Sequence, residues 1–256
     1  MAFSEALLYG LLFGAGVLSG FVNTLAGGGA LFIVPILLML GFPPEVANAT
    51  NRVGVSLQSA LAARGLDRAD RLDRRALKFL ALPFSIGALL GALSATWVSS
   101  TVIEILLYGA MGMAALSFLA SPSIPDRSGE APSARYQPSA LRFLALLALG
   151  FYAGLIQIGI GFLIVLFFLR LGYPLLEANA LKLSAVVFST LISLAIFITS
   201  GLVALGPALV LGSSALIGAQ LGVRYSLNVA PEKLRRIVFM IFIALILVSL
   251  AQRSAS

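Results

Sequence analysis

The sequence predicts an all-α polytopic membrane protein, built as two inverted-topology repeats of about five helical elements each, with short broken helices meeting near the midplane. Three observations carry that expectation. First, 60% of the 256 residues are apolar and only 11% are charged, at a mean hydropathy of +1.04. A soluble domain needs roughly 25% charged residues to face water. Second, the apolar residues fall in runs at Ala6–Leu25, Leu77–Val98, Val102–Ala120, Ala140–Gly161 and Ile237–Leu250. Runs of about 18–20 residues cross a hydrocarbon core. Third, the order of Gly, Ala and Asn residues recurs between the two halves of the chain.

The elements follow from the runs and the breaks between them. The first repeat, 1–120, holds elements at 4–25, 29–41, 45–64, 77–98 and 102–120. The second, 140–256, holds elements at 140–158, 160–172, 176–199, 206–223 and 234–251. Between them, 121–139 is a polar linker, rich in Pro and Ser and carrying charges of both signs. Met1–Gly29 reads as a mature first helix rather than a signal peptide, because it lacks a basic n-region and its pattern recurs later.

Duplication appears as a near-constant spacing. An offset of 131 carries Gly41, Ala47, Asn48 and Ala49 onto Gly172, Ala178, Asn179 and Ala180, and Gly87, Ala88 and Gly91 onto Gly218, Ala219 and Gly222. Near the start of each half an offset of 134 pairs Gly16, Gly20 and Gly27 with Gly150, Gly154 and Gly161.

Charge then orients the copies. The loop Arg64–Lys78 has six basic residues, whereas its counterpart Thr199–Gly206 has none. The next pair reverses the bias: Val98–Thr101 is uncharged, and Val223–Ile237 holds Arg224, Lys233, Arg235 and Arg236. Lys and Arg retain loops on the cytoplasmic side. The two halves are therefore expected upside down relative to each other, in a bacterial inner membrane, with both termini periplasmic. The net charge of +7 belongs to this bias, and no nucleic acid is expected.

With neither cysteine nor histidine, the chain lacks disulfides, thiol catalysts and the commonest metal ligand and general base. No enzyme activity, cofactor or metal is expected, and no Walker-type loop suggests a primary pump.

Two elements are too short to span. Ala30–Gly41 and Ile160–Gly172 reach about 18 Å or little more as helices, against roughly 30 Å of hydrocarbon. Each follows a Gly-bearing break, Leu25–Gly29 in one half and Gln157–Gly161 in the other. Paired Gly-interrupted segments point to a secondary transporter's binding site and to alternating access around it. A helix starting after such a break presents free N–H groups and a positive dipole end, which suits an anion. The substrate-binding candidates are Asn23, Gly27, Gly28 and Gly29 with Asn48, Asn51 and Arg52 in the first half. In the second half they are Gln157, Gly159 and Gly161 with Asn179 and Lys182. Charges within membrane segments cost about 2.5–3.5 kcal/mol or more, which makes Arg52 and Lys182 functional candidates. Glu45 and Glu177, in the turns beside the short elements, are candidate proton carriers. Glu104 and Arg170 lie near element ends and read as interfacial.

The stretch Gly20-Phe21-Val22-Asn23-Thr24-Leu25-Ala26-Gly27-Gly28-Gly29, followed by Val34-Pro35 and Ala47-Asn48-Ala49-Thr50-Asn51, resembles the signature of the TauE/SafE sulfite exporter family. The resemblance covers nearly the whole chain, including the second Ala-Asn-Ala. It implies a transporter of sulfite, thiosulfate or an organosulfonate, often directed outward, with membrane lipid as its other contact. Many members carry a richer second glycine cluster than Gly161-Phe162-Leu163. Uptake of another small anion, or service as a non-transporting membrane subunit, are the alternatives. The sequence leaves self-association into a homo-oligomer open.

Overall fold

The computed structural model describes residues 5–25, 28–120 and 138–226, the side chains of 114–120 excepted. Gly27, most of the linker (121–137) and the expected element at 234–251 lie outside the described residues. Those residues form nine α-helices and no strand: α1 Glu5–Leu25, α2 Ala30–Met39, α3 Pro44–Arg68, α4 Arg74–Trp97, α5 Ser100–Ala120, α6 Ala140–Leu155, α7 Ile160–Arg170, α8 Leu175–Thr199 and α9 Leu205–Ser226. The two short elements are present as α2 and α7, of 10 and 11 residues.

Local chemistry sets the ends. Pro43 and Pro174 precede the first turns of α3 and α8, where a fixed φ and a missing N–H cost nothing. Asp73 caps α4, accepting from the backbone N–H of Arg75 at 2.9 Å and of Ala76 at 3.0 Å. The expected loop at 64–78 is much shorter than its charge suggested, because α3 continues to Arg68 and α4 begins at Arg74. Charged residues extend a helix readily where their heads reach water.

Polarity runs inside out. Leu82, Ile105, Leu141, Leu205 and Leu209 are each more than 60% exposed. Arg52, Lys182, Asn48, Asn51, Gln58 and Asn179 are at most 2% exposed. Water would reverse that arrangement; hydrocarbon outside and polar groups paired inside favour it. Among the described residues, four helices (α1, α4, α8 and α9) are long and apolar enough to cross a membrane. Helix α3 has the length but not the apolarity, and it lies between α8 and α9 at the centre of the bundle.

Close packing rests on four Gly-x-x-x-Gly pairs. Gly16/Gly20 and Gly218/Gly222 bring α1 and α9 together, and Gly87/Gly91 and Gly150/Gly154 do so for α4 and α6. A Cβ at Gly20, Gly218, Gly87 or Gly154 would run into a backbone carbonyl of the facing helix. With little hydrophobic force between helices in lipid, such backbone approach supplies the packing energy. Each pair joins the first half of the chain to the second, so the halves interlock.

The contacts also give the register. Gly20 faces the carbonyl of Ala215 and Gly150 that of Phe84, while Gly218 faces Val17 and Gly87 faces Leu147. These correspondences keep the spacing at 130 to 131 residues, and the offset of 134 expected for Gly16 and Gly20 is corrected by one helical turn. Gly and Ala are frequent enough in α1 and α6 for a one-turn slip to match equally well in sequence.

Direction follows from the same contacts. Helices α1 and α9 run parallel, with Tyr9 near Gly206 and Thr24 near Gly222. Helices α3 and α8 run antiparallel: Arg52 stacks on Phe197, whereas Ala62 and Leu66 share a cluster with Ala180 and Leu183.

Candidate functional site

The two breaks meet in one small cavity near the centre. It is lined by Asn23, Gly28, Gly29, Ala30 and Val55 from the first half, and by Gln157, Gly159, Ile160, Gly161 and Val186 from the second. Val55 and Val186, the only lining residues from α3 and α8, stand at the 131-residue spacing.

Each break lies between the end of one helix and the start of another. Gly28 and Gly159 sit at φ +97° and +78°, a region that L side chains enter at a cost of about 1–2 kcal/mol and glycine enters freely. The N–H groups of Leu31 and Phe32 return to the carbonyls of Gly28 and Gly29, and that of Phe162 returns to Gly159. Leu163 N–H also turns back to Gly159, so the donors of α7 left without a backbone partner among the described residues are those of Ile160 and Gly161, at the cavity wall. Both helix N-termini, with their positive dipole ends, therefore face the same space.

Gln157 sharpens the site. It is 4% exposed, lines the cavity, and neither its Nε2 nor its Oε1 has a partner among the described residues. Leaving a buried amide unsatisfied costs about 1–3 kcal/mol. Asn23, across the cavity, donates weakly from Nδ2 to Ser59 Oγ at 3.4 Å.

The remaining polar candidates form a layer behind this wall. Arg52 donates from its two terminal nitrogens to the carbonyls of Ala153 (2.8 Å) and Gly154 (2.7 Å), and its guanidinium carbon lies 4.9 Å from the Phe197 ring centre. Asn48 donates to Leu155 O at 2.9 Å. In the other half Lys182 donates to Asn23 O and Asn179 to Thr24 O, both at 2.5 Å. All five acceptors are last-turn carbonyls of α6 and α1, the orphan groups a helix C-terminus leaves. Cations there also oppose the negative end of the helix dipole. Each half thus caps the broken helix of the other, Asn with Arg on α3 and Asn with Lys on α8. Tyr152 adds a brace, donating from its hydroxyl to Ile158 O at 2.6 Å.

Of the sequence candidates, the structure brings Asn23, Gly28, Gly29, Gln157, Gly159 and Gly161 to the cavity wall. Asn48, Arg52, Asn179 and Lys182 stand behind it as helix caps, and Asn51 is buried with Nδ2 unpartnered among the described residues. Glu45 and Glu177 lie in the first turns of α3 and α8, away from the wall. Glu45 accepts from Ser100 Oγ at 3.0 Å, and Glu177 borders a surface cleft with Asp70, Asp73 and Tyr173. Sequence reasoning missed Val55, Val186, Ser59, Gln58 and Tyr152. Gln58 carried a signal, a polar residue inside an expected membrane helix; the valines carried none.

Relatives agree in kind. The chain is 29% identical to "Probable membrane transporter protein ORF9" of a Sinorhizobium species, covering 93% of this chain and 90% of that protein. It is 27% identical to a "Probable membrane transporter protein" of Haemophilus influenzae, with 90% of each covered. It is 28% identical to "Probable membrane transporter protein YfcA" of Escherichia coli K12, covering 92% and 87%. No solved structure matches the chain. The family model described as sulfite exporter TauE/SafE matches residues 12–250, and this multi-pass membrane protein, a transporter by its kinship, belongs to the TauE/SafE sulfite exporter family.

Proposed function

We propose that the protein is a secondary transporter that exports a sulfur-containing anion (sulfite, thiosulfate or an organosulfonate) across a bacterial inner membrane by alternating access. The observation that carries this reading is the central cavity, where the N-termini of α2 and α7 and the unpartnered amide of Gln157 converge from opposite halves. Helix N-termini stabilise anions through free N–H groups and the dipole, and an uncharged amide donates two further hydrogen bonds. A chain whose halves oppose each other has two related routes to one site, as an inverted repeat requires. The antiparallel course of α3 and α8 supports that orientation.

Arg52 and Lys182 act in this reading through the backbone rather than by touching the anion. By holding the C-termini of α6 and α1, they keep the two breaks open and leave net positive charge close by.

Reconstitution into proteoliposomes tests the proposal. Counterflow of labelled sulfite, thiosulfate and sulfonates is expected, with sulfate and chloride slower. Gln157→Leu is expected to reduce flux at least tenfold while the protein stays folded, since buried donors to a charged ligand contribute about 1.5–3 kcal/mol each. Unchanged flux in that variant places the anion elsewhere.

A further inference from the structure

We propose that the site continues one helical turn along α3 to Gln58, and that Gln58 reads an uncharged hydrogen-bonding group, such as a hydroxyl, on an organic sulfonate. The inference rests on the central cavity being the anion site and adds the chemistry of the ligand's other end.

Gln58 is 1% exposed, and both its Nε2 and Oε1 lack partners among the described residues. It is three residues from cavity-lining Val55, and residues three apart share a helix face about 5–6 Å from each other. Its neighbour Ser59 stands just behind the wall, accepting from the wall residue Asn23. Gln58 is therefore a buried, unpartnered amide one helical turn along α3 from the cavity wall.

Nothing similar occurs in the other half. At the 131-residue spacing the counterpart of Gln58 is Ser189, whose hydroxyl donates to Val186 O at 3.1 Å. The cavity is near-symmetric but its flanks are not, so a ligand filling it meets different chemistry at its two ends. The charged head belongs at the two helix N-termini. An amide with donor and acceptor both free is uncharged and suits a group that does both, which a hydroxyl is and a sulfonate oxygen is not. A two-carbon spacer is of the scale of one helical turn, about 5 Å.

A matched pair of probes tests this: ethanesulfonate and 2-hydroxyethanesulfonate, which share the charged head and differ by one hydroxyl. Binding to the full-length purified protein is measured by calorimetry, with melting temperature followed in parallel. The wild type is expected to favour the hydroxylated probe about tenfold. Gln58→Met should abolish that preference, leave ethanesulfonate binding unchanged and raise the melting temperature, because an unsatisfied buried amide is removed. Gln58→Asn, shorter by one methylene, should keep part of the preference, which guards against misfolding of the first variant. Gln157→Leu should weaken both probes equally.

Equal binding of the probes by the wild type, or no binding of either, overturns the proposal. So does a preference that survives Gln58→Met, the result expected if the amide merely holds water. If Gln157→Leu leaves both affinities intact, the reading of the central cavity fails as well; if it weakens both while Gln58→Met changes nothing, only the extension to Gln58 fails.

Discussion

Asn48 and Asn179 make the same contact from opposite halves of the chain: each donates its side-chain amide to a backbone carbonyl that closes the helix before a break, Leu155 for Asn48 and Thr24 for Asn179. One turn further on, Arg52 and Lys182 complete the cap on the same two helices. The breaks are thus held by residues of the opposite half of the chain, and a change in one half reaches the site through the other.

Removing a cap should destabilise the fold as well as the site. Arg52→Gln leaves last-turn carbonyls of α6 unpaired in a buried place, at about 1–3 kcal/mol. Its melting temperature should fall and its flux with it. Arg52→Lys should rescue only part, since a point charge cannot reach two carbonyls as a planar fork does. A wild-type melting temperature for Arg52→Gln removes the cap from the account.

The breaks need glycine for their backbone. Gly159→Ala forces a Cβ into φ +78°, a cost of about 1–2 kcal/mol, at a position lining the cavity. Anion binding by calorimetry should drop severalfold or more while the protein still purifies as a folded species. Gly28→Ala, at φ +97°, should behave alike.

Helix packing gives a third outcome. Gly154→Leu places a branched side chain against the backbone of Ala88 and Ala92, and should yield aggregated or poorly inserted protein by size-exclusion chromatography. Gly14→Leu meets nothing within 4 Å, faces outward, and should elute like the wild type. Equal behaviour of the two variants contradicts the close packing of α4 on α6.

Orientation is checked with single cysteines, which the native chain lacks. Asp70→Cys and Ser200→Cys, both at exposed positions, should label from opposite sides of the membrane with an impermeant maleimide. Labelling of both from the cytoplasm ends the inverted arrangement.

The membrane class, the short elements and the wall residues of both breaks were legible in the sequence because each has a local signature. Apolar run length marks a span, and glycine marks a backbone that must turn. The roles of Arg52 and Lys182 were not legible. A charge in an apolar segment announces that it is costly, and nothing in the neighbouring sequence says whether it meets a ligand or a carbonyl 101 or 159 residues away. The register of α1 against α6 failed for another reason: small residues recur at four-residue spacing in both, so a slip of one turn preserves the match. Val55 and Val186 were invisible because a valine in a membrane helix is the commonest of events; only the crossing of α3 and α8 makes it part of a wall.

The central claim is that an anion occupies the cavity between the breaks, and protection of a cysteine in its wall tests this most directly. Val55→Cys and Val186→Cys are made separately in the otherwise cysteine-free chain, reconstituted, and treated with N-ethylmaleimide in the presence and absence of 2-hydroxyethanesulfonate. Saturating sulfonate is expected to slow modification at both positions severalfold and to leave Ser200→Cys labelling unchanged. Equal rates with and without the anion at both wall positions, or walls that no reagent ever reaches during transport, would contradict it.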